Sequence, residues 1–129
     1  MKKFLVAVAA TAAVASAGMV ANVSVTGTVQ ADPLAINLCT YVQGNDRLRM
    51  RQRLREDRVQ LRRVYESILC NEMTLLQFAM VSGSDDIGEF IVSQLPGSTF
   101  ESSGDLEWAE SNGHGDSAIA QAIRERIGS

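Results

Sequence analysis

The chain has 129 residues, 46% of them hydrophobic and 21% charged, with a formal net charge of −3, two cysteines and one histidine. That length holds one small domain. The two cysteines lack the neighbours of a zinc site, and their spacing is wrong for a redox-active Cys-x-x-Cys pair. No serine carries a recognisable nucleophile turn, and the one histidine, His114, could serve as a base only if its loop folded onto the domain, so an enzyme is not expected.

The N-terminus opens Met1-Lys2-Lys3 and then runs apolar and small from Phe4 to about Val14. A positive start followed by a short apolar run is the pattern of a secretory signal peptide. It is too short for a membrane span, which needs about 20 apolar residues. Small residues offer cleavage after Ala17, in Ala15-Ser16-Ala17, or after Ala31, in Val29-Gln30-Ala31. The second is preferred, because Asn22 to Gln30 offers nothing to fold; it sets the signal peptide at 1–31 and places the rest in the periplasm or outside the cell.

Residues 32–129 then carry ten arginines, no lysine and fifteen acids, a net charge of −5. The distribution is polar: 46–63 holds eight arginines against three acids, whereas 64 onward holds two arginines against eleven acids. Such asymmetry points to an electrostatic partner or to two halves that attract one another. In an oxidising compartment Cys39 and Cys70 read as one disulfide. Closing a loop of that length contributes about 3–4 kcal/mol in the chain-entropy model.

The dominant pattern is helical, with a disulfide-stapled domain expected over 32–96. Pro33 suits a first helical turn, Leu34, Leu38, Tyr41 and Val42 form one stripe, and Gly44 supplies a stop. Asn45 or Asp46 caps the next helix. Its sequence RLRMRQRLR alternates like a strand, but all its residues favour helix and none is β-branched or aromatic. Met50, Leu54, Leu61, Tyr65 and Ile68 also share one helical stripe. This predicts two unequal helices broken near Glu56 to Arg58, with Arg47, Arg51 and Arg55 on one flank and Arg49 and Arg53 on another.

A turn follows at Asn71 to Met73. Thr74 opens a helix that stops at Gly83, and Ser84 and Asp85 cap another whose apolar face is Ile87, Phe90, Ile91 and Leu95. From 97 to 115 glycine, serine and acids predominate, and a flexible loop is expected. Asp116 then caps a C-terminal amphipathic helix over 116–128, with Ile119, Ile123 and Ile127 on one face. The expected class is therefore all-α, four to five short helices with one disulfide and a C-terminal helix after the loop.

The stretch TLLQFAMVSGSDDIGEFIV, residues 74–92, resembles an ankyrin repeat: threonine opens it, Gly83 makes the turn, and apolar residues fill both helices. The family's Thr-Pro-Leu-His becomes Thr74-Leu75-Leu76-Gln77, and a stretched echo starts at Pro33 with Gly44 in the place of Gly83. The resemblance implies helix hairpins that offer a surface rather than a pocket. A signal peptide, LCTYVQGNDRLRMRQRLRED and YESILCNEMTLLQFA together resemble a family of short secreted proteins from Gram-negative bacteria, a domain of unknown function. That likeness spans roughly 1–95 and implies an extracytoplasmic location and a disulfide, and no activity.

His114 sits in SNGHGD and reads as a solvated loop residue. Asp105, Glu107, Glu110 and Asp116 lack the Asp-x-Asp-x-Asp-Gly spacing of a calcium loop, so an acidic solvated loop is expected, with no metal and no cofactor. Arg47, Arg49, Arg51, Arg53 and Arg55 are the candidate site for an anionic partner. No aromatic residue interleaves with them as a stacking platform, so nucleic acid is not the expected partner. The sequence thus favours a secreted, non-catalytic module for protein–protein interaction. The alternative is an envelope-associated protein whose arginine helix meets anionic lipid or polysaccharide.

Overall fold

The computed structural model describes residues 32–128, so the signal peptide and both cleavage sites lie outside the described residues. The chain divides into two units after Pro33. The described residues form eight helices and no strand. In chain order these are α1 (Pro33–Gln43), α2 (Arg47–Glu56), α3 (Leu61–Val64), α4 (Leu75–Ser82), α5 (Asp85–Ser93), α6 (Gly97–Ser103), α7 (Asp105–Ser111) and α8 (Ala118–Gly128). A tight turn, Tyr65–Ser67, extends α3.

Local chemistry sets most of the boundaries. Asn45, rather than Gly44, takes the left-handed position after α1, with φ 54°. Asp46 caps α2 by accepting from the Arg49 N–H. The Asn45 side chain instead reaches across the molecule and accepts from the Ile87 N–H at 2.9 Å. It thereby caps α5, for which Ser84 supplies no side-chain bond. Thr74 and Gln77 form a reciprocal capping box at the start of α4, and Gly83 closes α4 in the left-handed region at φ 70°. At α8 the cap is Ser117, which accepts from the Ala120 N–H at 3.0 Å, one residue beyond the expected Asp116.

The stripe Met50, Leu54, Leu61, Tyr65 and Ile68 is buried throughout, although the chain turns between Leu54 and Leu61. These residues join Leu38 and Val42 of α1, Leu75, Leu76 and Ala79 of α4, and Ile87, Ile91 and Leu95 in one core. Phe90 stays partly exposed. Cys39 and Cys70 are bonded with Cα atoms 5.7 Å apart, tying α1 to the turn before α4. The backbone bonds Cys70 N to Met73 O and Met73 N to Cys70 O close that turn.

The expected flexible loop at 97–115 is instead mostly helical, as α6 and α7, which raises the helix count above the four or five expected. Glycine and serine are poor helix formers, so tertiary packing overrides local preference here. Phe100 and Ala109 are fully buried, Leu106 and Trp108 pack against the core, and Gly104, at φ 71°, makes the corner between the two helices. The C-terminal helix docks on α5, α6 and α7. Ile119 and Ile123 are fully buried under it, while Ile127 stays partly exposed. Gly88 of α5 permits the approach, since a Cβ there would lie 2.3 Å from Ile119 Cδ1.

Candidate functional site

The structure sorts the five candidate arginines into two sets. Arg47 pairs with Asp86 at 3.2 Å, Arg49 with Asp46 at 3.4 Å, and Arg53 with Asp57 at 2.8 Å. Hydrogen bonding to Asp57 raises the Arg53 pKa further. These are surface pairs of small energetic weight, but they already occupy three guanidinium groups. The side chains of Arg51 and Arg55 make no ion pair or hydrogen bond among the described residues. They line an open groove of about 760 Å³ together with Arg58 and Arg62, two arginines outside the five candidates.

The turn after α2 explains how four arginines come to line one groove. Asp57 ends the helix, the Arg58 N–H donates to Arg55 O at 3.2 Å, and the Val59 N–H donates to Leu54 O at 2.9 Å. This pair of bonds is the Schellman closure, whose left-handed residue is ordinarily glycine. Here it is Arg58, at φ 55°. A side chain in that conformation costs about 1 kcal/mol relative to glycine. The closure turns the chain back so that Arg58 and Arg62 face the same groove as Arg51 and Arg55. Leu54, Val59, Leu61 and Phe90 supply its apolar lining, and Gln60, Ser93 and Gln94 its neutral polar groups. No carboxylate lines it. A neighbouring cleft shares Arg51, Phe90, Ser93 and Gln94 and continues toward Arg47 and Glu89. The basic end is therefore the one formed by Arg55, Arg58 and Arg62.

Four like charges around one concavity attract anions, and arginine forks match carboxylate or phosphate oxygens in pairs. That arrangement can hold and orient a ligand.

The acidic stretch behaves differently from the sequence reading. Asp105 is fully buried. Its carboxylate accepts from the Tyr65 hydroxyl, from Thr74 Oγ1 at 2.9 Å and from Gln77 Nε2 at 3.1 Å. The Leu76 N–H donates to the Tyr65 hydroxyl oxygen at 3.4 Å. Burial, and then the Asp105 charge, push the Tyr65 pKa well up, so the phenol keeps its proton. Asp105 thus fastens α7 to the capping box of α4 and is no solvated loop residue. His114, also expected in solvent, is half-buried and stacks on Trp108 with ring centroids 5.5 Å apart and planes within 3°. Glu110 pairs with Arg124 at 3.2 Å. Among the described residues no group of three or more His, Cys, Asp or Glu side chains could hold a metal ion. No helix among them is long and apolar enough to cross a membrane.

The buried Asp105 had no sequence signal, because its partners lie 28 to 40 residues away. Arg58 and Arg62 did have one: they continue the basic run past the helix end.

No curated protein matches the chain, nor does any solved structure. A family model described as "Protein of unknown function (DUF3718)" matches residues 38–102, a window that holds both cysteines, the arginine helix and the whole groove. The chain belongs to this family of proteins of unknown function.

Proposed function

We propose that the protein is a non-catalytic binding module that works in an oxidising, extracytoplasmic compartment and recognises an anionic protein partner through the groove of Arg51, Arg55, Arg58 and Arg62. The observation that carries the reading is the lining itself, four guanidinium groups with no carboxylate among them, in a chain whose remainder is acidic. The Cys39–Cys70 bond and the sequence pattern of 1–31 support the compartment. The ankyrin-like reading of 74–92 rests on the α4–α5 pair and its turn at Gly83, and is part of the same proposal.

The test is fluorescence anisotropy of a labelled polyglutamate peptide against the purified protein, at low and high salt. Binding that weakens with salt, and that is lost when Arg55, Arg58 and Arg62 are replaced by glutamine, supports the proposal. Binding that survives the triple replacement sinks it. Capture on phosphatidylglycerol vesicles without peptide binding would move the protein to the envelope-associated reading.

A further inference from the structure

Charge is only part of the groove's chemistry, and its other part narrows the partner. Phe90 and Val59 are partly exposed and line it together with Arg55 and Arg58. A purely anionic ligand would neutralise the arginines and leave both apolar side chains in water. A ligand that carries an apolar group next to its charges would cover them as well, and apolar burial adds to affinity in proportion to area. The groove is also concave, of a volume that suits a few side chains. Exposed beside it are Gln60, Ser93 and Gln94. Gln60 Oε1 accepts from Arg63 Nε, the Ser93 hydroxyl donates to Phe90 O and Gln94 Nε2 donates to Ser93 Oγ, which leaves the Gln60 N–H groups and the Gln94 carbonyl oxygen to meet the main chain of a peptide. A flat membrane surface would meet the exposed edge and would not follow the concavity.

Arg58 points the same way. Asparagine takes the equivalent left-handed position after α1, and glycine takes it after α4. An arginine there is conformationally the costlier choice, and its side chain is delivered to the groove.

We infer that the groove receives a protein segment in which carboxylates flank an apolar side chain, the carboxylates meeting Arg55, Arg58 and Arg62 and the apolar group meeting Phe90 and Val59. The inference rests on the proposed function and adds the composition of the partner's segment.

Two labelled peptides of equal charge test it, one with glutamates around a central phenylalanine and one with serine in its place. The phenylalanine peptide should bind the intact protein about tenfold more tightly. Arg58→Gly should weaken both peptides by a similar factor. Phe90→Ala should abolish the difference between them while retaining salt-sensitive binding, and the comparison between peptides on the unaltered protein stands even if that variant folds poorly. Equal affinity for the two peptides overturns this inference and leaves the proposed function intact. Binding of neither peptide overturns both, as does binding confined to phosphatidylglycerol vesicles.

Discussion

Replacing Gly88 by alanine sets two effects of known size against each other. Alanine in a helix interior is favoured over glycine by about 1 kcal/mol. The new Cβ would stand 2.3 Å from Ile119 Cδ1 and 2.5 Å from Ile119 Cγ1, with Ala79 Cβ 3.5 Å away on another side. Ile119 is fully buried, so its side chain has no open space to swing into. Cγ1 is not a free end, and it moves only by a change of the Ile119 χ1 rotamer within the core or by a shift of α8. Overpacking of this kind costs about 1–3 kcal/mol, and two carbons inside contact distance place the site high in that range. Gly88→Ala should therefore destabilise the protein by about 1–2 kcal/mol, which lowers the melting temperature by about 4–8 °C per kcal/mol. Urea and thermal unfolding followed by circular dichroism would read the change. Ile119→Ala opens a cavity by itself, but combined with Gly88→Ala it should cost less than the sum of the two, since each relieves the other's fault. A more stable Gly88→Ala variant would show that α8 does not pack on α5 as described.

Asp105→Ala strands the donors Tyr65, Thr74 and Gln77 and should cost about 2–4 kcal/mol in urea unfolding; a loss below about 0.5 kcal/mol would refute the buried network. Tyr65 has a folded pKa above its ordinary value of 10.0, so its contribution is fully present below pH 10. Above that the unfolded chain releases the proton first, and stability falls as pH rises. Tyr65→Phe should be less stable at neutral pH and should flatten this alkaline decline, measured as melting temperature against pH. Reducing the disulfide, or replacing Cys39 and Cys70 by alanine, should lower stability by about 3–4 kcal/mol. Arg58→Gly relieves a left-handed side chain and should leave the unfolding free energy unchanged or raise it by up to about 1 kcal/mol. A marked loss of stability in that variant would mean that Arg58 serves the fold rather than the groove.

What was legible in the sequence depended on how local its cause is. The cap at Thr74, the stop at Gly83, the break after Glu56 and the stripe from Met50 to Ile68 are written within a few residues of where they act. The pairing of Cys39 with Cys70 needed only the absence of other cysteines. The helices at 97–111 were hidden because their own residues disfavour helix, and burial of Phe100 and Ala109 outweighs that preference. Asn45 capping α5 across the molecule, and Asp105 binding three residues of other elements, are contacts between distant segments that no local pattern announces. The candidate site was half visible. The arginine run marked the region, and three of its members pair with Asp86, Asp46 and Asp57. The turn at Arg58 brings in two others.

The groove as a binding site is tested most directly by ¹H–¹⁵N correlation spectra of the protein titrated with the glutamate–phenylalanine peptide. The amides that shift should be those of Arg51 to Arg62 and of Phe90 to Gln94, with the acidic helix α7 and the C-terminal helix α8 undisturbed. Shifts centred on Arg49 and Arg53, on the acidic half, or nowhere at saturating peptide would contradict the account.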